Sequence, residues 1–411
     1  MRIARDLYLD KLIARKHNGL VKVVTGVRRC GKSYLLFELF KEHLLNSGVS
    51  RDHIIDIQLD DRKNKALRDP DACDAFVRER VGEGQYYVML DEVQLMPEFE
   101  DVLLGFLHIP NLDVYATGSN SKFLSSDIIT EFRDRGDQVR VHPLSFSEYH
   151  AALAHDWDDD WNDYMTFGGM PHVATLTDDR DKVAYLKGLY EETYLRDIVE
   201  RNKVQNEEEL SELVDVVASA IGSLTNPTKL EKTFKTVKGM SLSAPTIRKY
   251  LGYLKDAFLI SEAKRYDIKG RKNIANSLKY YFEDVGLRNA RLNYRQQEPT
   301  HIMENVIYNE LVMRGYAVDV GIVEIREGDA RKQIEIDFVA NEGSRRYYVQ
   351  SAFALPDEEK RSQEMRPLLN VPDSFMKIIV VGGSQRPSRD NNGIVTMGIK
   401  QFLLNPDSLN L

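Results

Sequence analysis

Short runs of mostly apolar, β-branched residues punctuate the first part of this chain: LVKVVTG (Leu20 to Gly26), QYYVMLD (Gln85 to Asp91) and LDVYATG (Leu112 to Gly118). Runs of this length, bounded by glycine or charge, predict buried strands of a parallel sheet. SYLLFELFKEHLL follows the first run and sets Leu35, Leu36, Leu39 and Leu44 on or near one helical face, while ARDLYLDKLIARKHNG predicts an amphipathic opening helix packed on the same core. From Arg180 to Ser223 the period lengthens to three and four in VAYLKGLYEETYLRDIVERN and ELSELVDVVASAIGSL, which predicts an all-helical connector. In SLSAPTIRKYLGYLKDAFLI a Ser-rich turn and a proline precede a helix whose apolar face is Ile247, Tyr250, Leu251, Leu254 and Phe258. A short helix, a turn and such a second helix read as a helix-turn-helix. Ser261 to Asp284 then reads as two strands around a Lys-Gly-Arg-Lys hairpin, the wing of a winged helix. From Thr300 the pattern gives a helix (ENVIYNELVMRG), three strands ending with IEIDFVA and RYYVQSAFAL, a helix near Glu358 to Asn370 and a final strand, KIIVVGG.

These segments predict a multidomain α/β protein divided at 1–150 (nucleotide-type core with a parallel sheet), 151–225 (helical connector), 226–292 (winged helix) and 293–411 (α/β end domain). A length of 411 residues fits roughly three domains. Apolar residues make up 42% and charged residues 29%, which excludes long disorder. Cys30 and Cys73, the two cysteines, form no disulfide framework and suit a reducing cytoplasm, the expected location. No run approaches ~20 apolar residues, so no membrane span is expected, and the N-terminus lacks a signal-peptide core. Asp156, Asp158, Asp159 and Asp160, beside Trp157 and Trp161, read as a solvated helix-capping loop, and FGGMP (Phe167 to Pro171) as a turn.

The charge is unevenly spread. The net formal charge is −8, yet Asn226 to Tyr281 holds thirteen Lys and Arg against four Asp and Glu, so the rest of the chain carries −17. The basic segment is a candidate partner surface: Lys249 on the second helix, with Lys269, Arg271 and Lys272 in the hairpin, would meet the phosphates of duplex DNA. Packing, or contact with an acidic protein partner, is the alternative.

GVRRCGKS fits G-x-x-x-x-G-K-[ST], and its place between a strand and a helix is that of a phosphate loop. The nucleotide-contacting residues would be Gly26, Val27, Arg28, Arg29, Cys30, Gly31, Lys32, Ser33 and Tyr34, with Lys32 on the phosphates and Ser33 on Mg²⁺. Asp91 at a strand tip would position the same Mg²⁺, and Glu92 would polarise the attacking water of ATP hydrolysis. Cys30 reads more simply as a small filler. Ser119 or Asn120 at the tip of the third strand is a candidate γ-phosphate sensor, or TGSN is only a turn. Arg133 and Arg135 are candidate arginine fingers, in cis or in trans, or a solvated basic loop.

The order helix, three strands, helix, strand near the C-terminus resembles the core of the PD-(D/E)xK nucleases. Glu304 and Asp337 match its first two acidic positions, but Gln350, Ser351 and Ala352 stand where Glu-x-Lys belongs. A neutral amide is a poor ligand for a hard cation and the lysine is missing, so nuclease activity is not expected.

GVRRCGKS, LDEVQ, TGSN, HPLSFSEY, FGGMP, YLRDIVERN, YLKDAFLI, KYYFEDVGLRNA and ENVIYNEL together resemble a large prokaryotic family of AAA-type ATPases, nearly end to end. The resemblance implies an ATPase core using ATP and Mg²⁺, a winged helix and a degenerate nuclease-like end. This chain has Phe132 to Gly136 where the family often carries a Gly-Arg turn. The combined expectation is a cytoplasmic ATPase, or a slow switch holding ATP or ADP, whose nucleotide state repositions the winged-helix and nuclease-like domains.

Overall fold

The computed structural model of the chain describes residues 2–118, 132, 134–239, 241–270, 272–328 and 330–410. Ser119, Asn120, Arg133 and Arg271 lie outside the described residues. The chain divides into two units, Met1–Pro143 with Asp256–Phe258, and Leu144–Lys255 with Leu259–Leu411. No helix among the described residues is long and apolar enough to cross a membrane.

The first unit is built on five parallel strands: β1 (Val21–Thr25), β2 (Ile54–Gln58), β3 (Tyr86–Asp91), β4 (Leu112–Thr117) and β5 (Gly136–Arg140), in the order β2-β3-β4-β1-β5. Every residue of β1, β3 and β4 is buried, which is why their sequences are mostly apolar, whereas the edge strands β2 and β5 carry partly exposed positions. The helical run Lys32–Asn46 contains a π-helical stretch, Leu35–Phe40, and buries Leu35, Leu36, Leu39, Phe40 and Leu44. Lys22 is a charged residue within β1. It is fully buried and ion-paired with Asp113 on the adjacent β4, which also accepts from the Tyr115 hydroxyl at 2.8 Å.

The second unit begins with helices and ends in a sheet. Ser145 caps the helix Phe146–Leu153 in a reciprocal box: its hydroxyl accepts from Glu148 N at 3.2 Å and Glu148 Oε2 accepts from Ser145 N at 2.9 Å. Asp156 caps Trp157–Phe167 as expected, but Asp160 is buried, with His150 Nδ1 at 2.6 Å and His155 Nδ1 at 3.2 Å, so the acidic patch is not uniformly solvated. FGGMP is more than a turn. Gly169 N donates to Asp284 Oδ2 at 2.7 Å, Asp284 also caps the helix Val285–Arg291, and Asn289 donates to the carbonyls of Met165 and Thr166 at 2.9 and 3.0 Å. A Cβ on Gly286 would lie 1.9 Å from Phe167 O, so this junction demands glycine. Two motifs more than a hundred residues apart thus form one hydrogen-bonded core element.

A helix Pro227–Thr233, continuing through Phe234–Lys238, precedes the expected helix, which spans Ala244–Asp256. Strands β6 (Ile260–Asp267) and β7 (Lys272–Phe282) form the expected hairpin. The hairpin does not stand apart. With β8 (Ala317–Glu327), β9 (Ala330–Glu342), β10 (Arg345–Ala352), β11 (Met376–Val381), β12 (Ser388–Arg389) and β13 (Val395–Gly398) it forms one sheet ordered β12-β13-β11-β10-β9-β8-β6-β7. The join is a parallel pairing of Arg265, Tyr266 and Asp267 with Val320, Gly321 and Ile322. The helix Pro299–Met313 precedes β8, and Glu358–Leu369 lies between β10 and β11, the order of elements expected from the sequence.

Candidate functional site

The phosphate-loop segment is held by backbone geometry that its sequence dictates. Gly26 has φ +141°, and a Cβ there would meet Val141 O at 2.0 Å, so only glycine fits. Arg29 (φ 64°) and Gly31 (φ 98°) turn the chain in the left-handed region before the helix begins at Lys32. Cys30 is buried with Sγ 3.4 Å from Val141 O, the packing role of a small side chain. Val27 is buried, Arg28 and Tyr34 are half-buried and Arg29 is exposed. Lys32 is 5% exposed and curls into the loop, its ammonium donating to Gly26 O at 3.1 Å and Val27 O at 3.0 Å.

Sheet order brings the other groups to this loop. Because β4 lies between β1 and β3, its last residue, Thr117, sits between the loop after β1 and the carboxylate ending β3. Ser33 Oγ donates to Asp91 Oδ1 at 3.0 Å, and the Thr117 hydroxyl donates to the same oxygen. Glu92 N in turn donates to Thr117 Oγ1 at 3.2 Å. Burial pushes the Asp91 carboxyl above its ordinary pKa; the Thr117 and Ser33 hydrogen bonds oppose that, and the charges of Glu92 and Asp60 add to it. Glu92 has φ 52°, and its Oε2 accepts from the Gln94 side-chain amide. A carboxylate and a hydroxyl meeting at the mouth of a glycine cradle suit a hard cation with phosphate oxygens.

Arg135 does not join this cluster. Its carbonyl accepts from Val21 N at 2.9 Å, at the foot of β1, and five strand residues at ~3.3 Å each separate that edge from the loop. A finger acting in cis from Arg135 is therefore corrected by register. Arg140, opposite Thr25, occupies the loop end of the same strand. Sequence reasoning also missed Thr117 and Arg5. Arg5 is buried and clamps the loop from the first helix, donating to Cys30 O at 3.3 Å and His142 O at 2.6 Å. Its only sequence signal was an arginine at the edge of an amphipathic helix.

In the second unit Lys249, Lys269 and Lys272 are exposed. Lys269 and Lys272 share the β6–β7 turn, which Asp267 closes by accepting from Gly270 N at 2.9 Å, while Lys249 lies on Ala244–Asp256 with its ammonium 5.6 Å from the Tyr253 ring. Glu304 and Asp337 are brought together, with the Lys279 ammonium between them at 2.8 and 3.5 Å. Gln350 accepts from Asp337 N at 3.3 Å and donates to Glu364 at 2.9 Å. Among the described residues no group of three or more His, Cys, Asp or Glu is arranged to hold a metal ion.

Comparison with known proteins agrees with this geometry. The AAA domain family matches residues 18–150, and a domain of unknown function matches residues 158–298. An uncharacterized protein of Haemophilus influenzae is 31% identical over 387 residues, covering 92% of this chain and 93% of that protein. An uncharacterized protein of Methanocaldococcus jannaschii is 27% identical over 378 residues, covering 88% and 80%. Among solved structures, the Aeropyrum pernix Orc1 protein in complex with DNA aligns over 71% of this chain and 93% of that one, at 13% identity and a TM-score of 0.29, too low to carry weight. With the AAA match spanning the phosphate loop, β3 and β4, and a relative this similar along nearly its whole length, the chain belongs to the AAA-type P-loop ATPases, with a domain of unknown function following the AAA domain over residues 158–298.

Proposed function

We propose that this protein is a Mg²⁺-dependent ATPase whose nucleotide state repositions a DNA-contacting winged helix and a catalytically silent nuclease-like region. The observation that carries the reading is the convergence of Ser33, Asp91 and Thr117 beside the buried Lys32 at the carboxyl end of the parallel sheet. Bound Mg²⁺ would neutralise charge on the transferred phosphoryl group. Lys32 would exchange its contacts to Gly26 O and Val27 O for phosphate oxygens, and Ser33 and Asp91 would turn their shared hydrogen bond toward the cation. Glu92 would orient the attacking water. Arg28 and Arg29 would grip the γ-phosphate or a neighbouring domain, with Asn120 as sensor.

The exposed Lys249, Lys269 and Lys272 on a helix and a hairpin support contact with duplex DNA phosphates; an acidic protein is the other partner they suit. The pairing of Glu92 with Gln94 supports a second reading, a slow switch that holds ATP or ADP until a partner frees the glutamate. Steady-state ATP hydrolysis with and without duplex DNA, comparing the native chain with Glu92→Gln, tests both. Turnover that DNA accelerates and Glu92→Gln abolishes supports the ATPase. Tight Mg-ATP binding without turnover in either condition supports the switch, and retained tight binding in Lys32→Ala would sink the site assignment.

A further inference from the structure

Lys279 and Tyr281 stand two residues apart on β7, so strand alternation sends both side chains to one face, toward the helix Pro299–Met313. Glu335 and Asp337 on β9 show the same spacing. The result is a buried ionic cluster. Lys279 Nζ lies 2.7 Å from Glu335 Oε1, 2.8 Å from Glu304 Oε1 and 3.5 Å from Asp337 Oδ1, and the lysine side chain is 3% exposed. An ammonium carries three N–H donors, and here three carboxylates surround it. Two further donors serve the same carboxylates: the Tyr281 hydroxyl donates to Glu304 Oε1 at 2.7 Å and Ser351 N donates to Asp337 Oδ2 at 2.8 Å, while His301 Nδ1 lies 3.8 Å from Glu304 Oε2.

We propose that Lys279 is the resident cation of this carboxylate cluster, its ammonium standing where a divalent ion would otherwise be held, and that the native chain therefore takes no metal there. The inference is independent of the nucleotide reading. Two arguments carry it. A divalent ion would need Glu304 Oε1 and Asp337 Oδ1 at ~2.0–2.6 Å, and the ammonium already uses both oxygens. Two like-charged cations a few ångströms apart in a buried site would also repel strongly. The ionisation pattern agrees. Burial alone would lower the Lys279 pKa, but Glu304, Asp337 and Glu335 together hold it above the ordinary value. Burial and the Glu304 charge push the Asp337 carboxyl up, and the Lys279 ammonium opposes them. The lysine absent from the strand position of Ala352 is thus not simply lost: a lysine from a different strand fills the site, and fills it as a plug.

The test is Mn²⁺ binding by the full-length protein without nucleotide, followed by electron paramagnetic resonance of the free ion. Four proteins are compared: native, Asp337→Asn, Lys279→Met and the double variant Lys279→Met/Asp337→Asn. Any binding near Asp91 is common to all four and cancels. Native and Asp337→Asn should bind equal amounts. Lys279→Met should gain one Mn²⁺ with a Kd on the order of 10⁻⁴ M, and the double variant should lose it. Removing one partner of a buried ionic cluster can unfold a chain, so the charge-matched Lys279→Met/Glu335→Gln carries the same expectation. A native-chain Mn²⁺ site that Asp337→Asn abolishes overturns the proposal, as does a folded Lys279→Met that gains no ion.

Discussion

Replacing Thr117 by valine keeps the shape of the side chain and removes the hydroxyl that joins Asp91 to Glu92. Two hydrogen bonds disappear, one to the Asp91 carboxylate and one from Glu92 N at 3.2 Å. A hydrogen bond to a charged group is worth about 1.5–3 kcal/mol, and burial already pushes the Asp91 carboxyl up, so losing the donor raises that pKa further. A cation held there would then meet less carboxylate near neutrality. Glu92 is affected too, because its left-handed backbone (φ 52°) carries roughly 1–3 kcal/mol of strain that Thr117 helps to hold. The expected outcome is a loss of about 10- to 100-fold in ATP affinity measured with Mg²⁺, equivalent to about 1.4–2.7 kcal/mol. Affinity in EDTA should be nearly unchanged. A fluorescent N-methylanthraniloyl ATP titration in the two buffers reads the difference directly. The pH midpoint of the Mg²⁺-dependent gain should move upward in Thr117→Val, and Thr117→Ser should restore both properties. An Mg²⁺-dependent gain in Thr117→Val within twofold of the native value, or serine behaving like valine, refutes the reasoning.

Arg5→Ala should lower the stability of the first unit by about 2–4 kcal/mol and weaken nucleotide binding, since it deletes the clamp on Cys30 O and His142 O; far-ultraviolet circular dichroism follows the transition. Arg5→Lys should not rescue it, because one ammonium cannot reproduce the planar fork, and full rescue would refute the clamp. Burial pushes the Asp284 carboxyl up to about 6, against backbone donors from Leu287, Gly169 and Gly286. Its protonated form therefore contributes stability that is fully present below the ordinary value of 3.8 and is lost as pH rises through about 6, roughly 3 kcal/mol in all. Urea unfolding followed by Trp157 and Trp161 fluorescence, both in the same unit, should show the native protein losing stability over this range relative to Asp284→Asn. A pH-independent difference between the two would refute the assignment.

The placement of Gly26–Ser33 and of Asp91 was legible in the sequence because it is local: a glycine-bounded turn between a buried strand and a helix, and a carboxylate at a strand tip. Thr117 was not, since a threonine ending an apolar strand is ordinary until sheet order sets β4 between β1 and β3. Arg5 was hidden for the same reason, its partners lying 25 and 137 residues away. Only the cis reading of Arg135 fails, because charge and proximity in sequence carry no information about which end of a strand faces the site. The basic excess from Asn226 to Tyr281 was read as surface charge, yet Lys279 within it is a buried lysine. Only its alternation with Tyr281 hinted at an inward face. The elements of the C-terminal region followed from periodicity, but the join of β6 to β8 pairs residues some fifty positions apart, and no local pattern reports it.

That join bears on how the protein can be dissected and how it can diversify. A fragment ending at residue 292 would keep β6 and β7 but lose β8, leaving β6 as an open edge with its backbone donors and acceptors free to capture another chain. It would also strand the Lys279 ammonium without Glu304, Glu335 and Asp337. The hairpin is therefore not a portable cassette. Its base can be exchanged only together with β8, β9 and the helix Pro299–Met313, so the hairpin and the sheet that follows it are constrained to change as a single folding unit.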